Sequence, residues 1–316
     1  MATDSSQSQC KQKIRDFALQ CGFSACGFAK ADAIGMDMQQ AYSQWIADGK
    51  QAEMSYLENH AALRNDPKLL LDNTATVISL AANYYPTEKQ PASAPQFSYY
   101  AYGKDYHEVV RSMLRKVADF IKSEAGGGEF RVCVDTAPIR ERYWAQCAGI
   151  GFIGRNNQLI IPGKGSYFFL GEILTTLPFP PDEPLEMDCG DCHRCIDSCP
   201  THALPGNYKA LDARCCISCL TIESRSPLPD FVAEKLGNRV YGCDTCQQVC
   251  PHNKNATPTA IAEFSPSEKL LSLTKESLME MDEEEFRAIF RHSAVKRAKF
   301  TGLHRNIAAL LHHPKP

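Results

Sequence analysis

Ten of the chain's fifteen cysteines lie between Cys189 and Cys250, in runs of fixed spacing. The first run, C-x2-C-x2-C-x3-C-P, is Cys189, Cys192, Cys195, Cys199 and Pro200; the second, C-x2-C-x3-C-P, is Cys243, Cys246, Cys250 and Pro251. In a reducing compartment, thiols clustered this way bind metal rather than pair as disulfides. The spacing is that of a two-cluster ferredoxin. Two intervening residues let three thiolates reach three irons of one cubane, and the cysteine before the proline turns away to the other cluster. Cys189, Cys192 and Cys195 are therefore expected to share one cluster with Cys250. Cys243 and Cys246 are expected to share the other with Cys199. That second set lacks a member, and Cys215, Cys216 and Cys219 in "RCCISCLTIES" are the candidates. Paired C-x2-C motifs also build zinc ribbons, but the third cysteine of each run and the Cys-Pro endings favour two [4Fe-4S] clusters. Cys10, Cys21, Cys26, Cys133 and Cys147 read as small buried hydrophobes.

A chain of 316 residues has room for a sizeable core beside such a segment. A net charge of -3 does not announce a nucleic-acid binder. The polar start, MATDSSQSQCKQK, lacks the apolar core of a signal peptide. The most apolar run, 167–179, is interrupted by Gly171 and Glu172 and is too short to span a bilayer. A soluble, cytoplasmic protein is expected, with no membrane contact. Residues 11–29 open as a helix with Ile14, Phe17, Ala18 and Cys21 on one face, ended by Gly22. Residues 75–85 read as a buried strand, 106–124 as an amphipathic helix and 129–135 as a strand. Thr136 and Pro138 look like the N-cap and first turn of a helix from Ile139 to about Ala148. "NQLIIPGKGSYFFLGEILTT" reads as a hairpin closed by Pro-Gly-Lys-Gly. Helices alternating with strands predict an α/β domain over 1–182. A proline-rich boundary, 177–188, leads into a cysteine segment over 183–257, and 258–316 is mostly helical. "GIGFIG", 149–154, matches a dinucleotide fingerprint, but it follows a helix and lacks the ribose-binding acid. It reads as a close-packed turn.

Several stretches resemble epoxyqueuosine reductases, and together they cover nearly the whole chain. They are "MSYLENH" (54–60), "YGKDYH" (102–107), "DTAPIRERYWAQCAGIGFIGRNNQLI" (135–160), "GEILTTL", "DARCCISCLTIE" and "YGCDTCQQVCPHN". Reductive dehalogenases share part of this arrangement. The resemblance implies an α+β organisation: an α/β cobalamin-binding catalytic domain, a ferredoxin-like segment with two clusters, and a helical C-terminal segment. It implies that electrons pass through the clusters to cobalamin, and that the epoxide oxygen of epoxyqueuosine in tRNA leaves as water.

Asp135 matches the family's proton donor. It lies between a strand and a helix, where α/β proteins place ligand-facing groups; from the residues alone it would read as a helix N-cap. The family often has tyrosine where Cys219 stands, which assigns Cys216 to the second cluster. It often has lysine where Arg155 stands. Arg64, Tyr102, His107, Arg142, Arg155, Asn156 and Asn157 are candidates for holding the corrin or the substrate, with no histidine expected on cobalt. Arg291, Lys296, Arg297, Lys299 and Arg305 could form a basic helical face for tRNA phosphates, balanced by the acidic run 282–285. A monomer drawing on an unidentified electron donor is expected. The competing readings are a corrinoid reductase of a small molecule and a plain two-cluster electron carrier.

Overall fold

The computed structural model describes residues 2–206 and 211–312. Its central sheet has four strands, β1 (Ala25–Lys30), β2 (Thr76–Asn83), β3 (Phe130–Cys133) and β4 (Phe168–Thr175), in the order β1-β2-β4-β3. Helices and strands alternate along the chain, as expected. The sheet is nevertheless antiparallel at every pairing, unlike the parallel sheet that alternation usually brings. The local pattern could not reveal this. β2 and β4 are almost continuously buried because helices cover both faces, and such strands read alike in either orientation.

One face is covered by α1 (Ala2–Gln20) and α2 (Tyr106–Ala125), the other by the short α3 (Glu141–Cys147). α2 buries Val110, Leu114, Val117 and Ile121, a helical stripe. Asp105 caps it by accepting from the His107 N–H, and Gly126 ends it at φ +70. α3 begins two residues later than the sequence indicates. Neither Thr136 nor Asp135 caps it; its N-cap, Arg140, makes no side-chain cap bond. Residues 134–140 are a loop instead.

α3 is seated directly on the sheet. A Cβ at Gly27 would stand 2.1 Å from the Ala148 carbonyl oxygen. The "GIGFIG" stretch is a close-packed turn as read: a Cβ at Gly151 would lie 2.5 Å from the Ile160 oxygen. Within it, Phe152–Ile153 forms a short strand that pairs with Leu159–Ile160. The hairpin expected at Pro-Gly-Lys-Gly shrinks to one bridge, Ile161 to Gly165, and its second arm joins the main sheet as β4.

The three segments, distinct in sequence, share one core. Residues Gln96–Phe97 pair in parallel with Arg239–Tyr241. Phe97 stacks on Tyr241 at 6.2 Å and packs on Phe290 at 5.8 Å. At the proline-rich boundary, Asp182 pairs with Lys11 (2.7 Å) and Arg15 and accepts from the Phe28 N–H.

Candidate active site and cluster-binding residues

The structure brings Cys189, Cys192, Cys195 and Cys250 around one small cavity, lined also by Ile160 and Pro251. The helical turns Arg194–Asp197 and Thr245–Gln248 pack together and carry the two runs to it. A zinc site draws its ligands to roughly 2.3 Å from one ion. Among the described residues, no three metal-binding side chains close on a single-ion site. Four thiols standing around a cavity fit a cubane instead.

Cys216 is the N-cap of α4 (Ile217–Ile222). Burial pushes its thiol up to about 11; the amides of Cys219 and Ser218 oppose this, while Cys243 and Cys199 add to it. Cys246 in turn feels Cys243 and Cys216. These interactions draw Cys199, Cys216, Cys243 and Cys246 into one group. The Cys219 thiol, pushed up to about 12 by burial, feels Cys216, Glu223 and Glu53 instead. Cys215 feels Asp212 and Arg214 more strongly than Cys199.

Asp135 lies in the 134–140 loop with φ +45, a left-handed conformation that costs a non-glycine residue on the order of 1 kcal/mol. Its side chain is 51% exposed. Its Oδ2 is 2.8 Å from His107 Nε2, and His107 Nδ1 is 2.6 Å from Asp105 Oδ1. The buried Asp105 pairs through Oδ2 with Lys296 Nζ at 2.9 Å. Tyr106 stacks on His107 at 4.1 Å and on Phe169 at 4.3 Å, and its hydroxyl bonds Asp135. Burial opposes a charge on His107, but hydrogen bonds to Asp105 and Asp135 lift it to about 9. Burial alone would raise the Asp135 carboxyl; the bond and charge of His107 outweigh it and hold the group below its ordinary range. At neutral pH the two form an imidazolium–carboxylate pair.

Tyr56 interacts electrostatically with both Asp135 and Cys219. Arg297 lies over its ring at 5.5 Å and pairs with Glu223 at 2.6 Å. The exposed Tyr56 therefore stands within electrostatic reach of the acid on one side and of α4 on the other.

Both His107 nitrogens face carboxylates, leaving neither for cobalt. The other candidates separate by what they touch. Arg64 donates to the carbonyls of Tyr56 and Asn59, shaping the "MSYLENH" loop. Tyr102 is a correction: it is 3% exposed, packed on Tyr99, and its hydroxyl accepts from the Gln90 N–H, so it belongs to the core. Arg155 and Asn156 bond the cysteine segment. Arg155 donates to the Gly190 carbonyl and, through its backbone N–H, to Cys189 Sγ; Asn156 donates to the Cys246 carbonyl. Arg142 donates to the Asn157 carbonyl.

The expected basic face is largely occupied. Lys296 and Arg297 are ion-paired, and Arg305 bonds the carbonyls of Leu220, Ser224 and Ser226. Arg291 and Lys299 have no ion pair among the described residues. Sequence reading missed Asp105, Tyr56 and Glu141. The one local signal was an Asp two residues before a His in "YGKDYH".

Residues 64–136 match the family model described as "Epoxyqueuosine reductase QueG, DUF1730", and 188–253 match "4Fe-4S double cluster binding domain". A curated epoxyqueuosine reductase from Cellulophaga algicola is 40% identical over 294 residues, spanning 93% of this chain and 95% of that protein. A crystal structure of epoxyqueuosine reductase with an epoxyqueuosine-modified tRNA-Tyr stem loop superposes with TM-score 0.88 at 33% identity, covering 97% of this chain and 82% of that one. The Bacillus subtilis enzyme, solved with its catalytic aspartate loop swung out of the active site, gives TM-score 0.87 at 32% identity with the same coverage.

Proposed function

The chain belongs to the epoxyqueuosine reductase family, and we propose that its Asp135–His107 pair supplies protons for the reduction of epoxyqueuosine to queuosine in tRNA. Two electrons and two protons enter, a carbon–carbon double bond forms, and the epoxide oxygen leaves as water. Cobalamin, when bound, supplies the reducing equivalents at the epoxide, fed through the two clusters. Cys189, Cys192, Cys195 and Cys250 hold one cluster; Cys199, Cys216, Cys243 and Cys246 hold the other. Cobalamin would be held beside the acid and α4, where the exposed Tyr56 is in electrostatic reach of Asp135 and of Cys219, three residues from Cys216.

Asp135 delivers the proton to the departing oxygen, and the His107 imidazolium replaces it. This is general-acid work by a carboxyl whose proton is stored on its neighbour. Asp105 faces the second imidazole nitrogen and so fixes the ring and its charge. The exposed side of Asp135 lets solvent reload the pair for the second proton. Arg291 and Lys299 contact tRNA phosphates, with the balance of charge argued above. No helix among the described residues is long and apolar enough to cross a membrane; a cytoplasmic monomer fed by a separate electron donor is the proposed working form.

The Asp105–His107–Asp135 chain, with Asp135 exposed at its end, carries this reading. Anaerobically purified protein should hold about eight irons with matching sulfide, bind cobalamin and convert epoxyqueuosine tRNA. Stoichiometric zinc without sulfide, or tight clusters without cobalamin, would sink it.

A pH dependence follows from the pair. His107 has a raised pKa and Asp135 a lowered one, so the paired state spans neutral pH and is lost as pH rises through about 9. Single-turnover conversion by chemically reduced enzyme should hold to that point and then fall about tenfold per pH unit. A rate unchanged between pH 8 and 10 would exclude His107 as the proton store.

A further inference from the structure

We propose that Glu141 is the positioning residue that latches Asp135 in its working conformation, acting as an uncharged hydrogen-bond acceptor seated on the buried Glu172. This rests on the reading of Asp135 as proton donor. The left-handed conformation of Asp135 needs something to hold it, and its backbone N–H donates to Glu141 Oε1 at 2.6 Å. Glu141 is the first residue of α3, so the latch is anchored on a helix packed against the sheet.

Glu141 has no ion-pair partner among the described residues. The adjacent guanidinium, Arg142, is directed to the Asn157 carbonyl. Beneath it, Gly27, Ser79, Glu172 and Cys133 form one cross-strand row on the face that α3 covers. Glu172 is 0% exposed; one carboxyl oxygen accepts weakly from Ser79 Oγ at 3.4 Å and the other has no partner among the described residues. Two carboxyls buried this close, neither of them ion-paired among the described residues, resist ionising together. Burial pushes both above the ordinary range, with the Asp135 carboxylate adding to it at Glu141 and Glu141 adding to it at Glu172; the Asp135 N–H, Arg142 and His107 oppose this at Glu141, and Ser79 opposes it at Glu172, without outweighing burial. A neutral acceptor at 141 is thus what the surroundings permit, and a carbonyl oxygen is what the Asp135 N–H requires.

The test compares two variants of the cluster- and cobalamin-loaded enzyme. Glu141→Gln keeps the reach and the acceptor but cannot ionise. Glu141→Asp keeps the carboxyl but is one methylene too short. Gln should convert bound epoxyqueuosine tRNA within about threefold of the native rate. Asp should be slowed about tenfold to a hundredfold, the scale of a misplaced catalytic group, with unchanged affinity for the tRNA stem loop. Backbone amide exchange over 134–140 should quicken in the Asp variant and stay native in the Gln variant. Gln slowed as much as Asp, or native protection of 134–140 in the Asp variant, would overturn the latch. Should the Asp variant not fold, Glu141→Leu, which has bulk and no acceptor, replaces it with the same expected result. The exchange arm is independent of the donor reading. Asp135→Asn retains the backbone N–H and should keep 134–140 protected, whether or not its own activity is lost.

Discussion

Asp135→Asn is expected to fold, load both clusters and bind cobalamin, yet to convert epoxyqueuosine tRNA at least about a hundredfold more slowly than the native enzyme. Asparagine is among the residues that best tolerate the left-handed backbone found at this position. Its side-chain oxygen can still accept from His107 or Tyr106, so the 134–140 loop should keep its shape. What it cannot do is carry a proton from the imidazolium to the departing oxygen. A hundredfold loss corresponds to about 2.7 kcal/mol of transition-state stabilisation. The measurement is single-turnover conversion by chemically reduced enzyme, with iron content and bound cobalamin determined on the same sample. Conversion at the native rate would remove Asp135 from the reaction. The helix-cap reading no longer competes, because α3 starts at Glu141 and Asp135 meets that helix by donating its backbone N–H to the Glu141 carboxyl, not by capping it with its side chain.

The second large effect separates two neighbouring thiols. Cys216→Ser should lose the second cluster, leaving about four of eight irons and no turnover from an external electron donor. Cys219→Ser should keep both clusters. The distinction lies in what each thiol faces. Cys216 feels Cys243 and Cys199 and sits where the amides of Ser218 and Cys219 can support a thiolate; Cys219 feels Glu223 and Glu53. Two carboxylates beside a thiolate disfavour its ionised, metal-binding form. Iron and sulfide analysis with low-temperature EPR of the reduced proteins reads the outcome. Equal loss in both variants, or loss only in the Cys219 variant, would reverse the assignment.

How far these features could be read from the chain depends on their range. The cysteine runs were legible because cluster ligation is encoded by local spacing, and the structure gathers Cys250 with Cys189, Cys192 and Cys195 across more than fifty residues, as that spacing requires. Choosing Cys216 needed the family resemblance, since three candidates lay within five residues. The amphipathic helix over 106–125 was legible from its apolar stripe. The pairing of His107 with Asp135 was not, because the partners are 28 residues apart and meet only through the sheet. Glu172 was visible as an acid interrupting an apolar strand, but its meaning depends on Glu141 from another element. The state of the basic C-terminal run was hidden for a related reason. Charge counts do not disclose that Asp105 and Glu223 already neutralise Lys296 and Arg297.

The strand pairing of Gln96–Phe97 with Arg239–Tyr241 bears on the kinetics of electron delivery. In many redox proteins the electron-carrying module is tethered, and its rate depends on how often the tether brings donor and acceptor together. Here the cysteine segment and the sheet close over the same Phe97–Tyr241–Phe290 packing, so a swinging module would have to break the hydrophobic interior to move. Tunnelling distance is then a constant of the folded chain. Turnover is expected to depend on redox driving force and on the arrival of substrate and reductant at the surface.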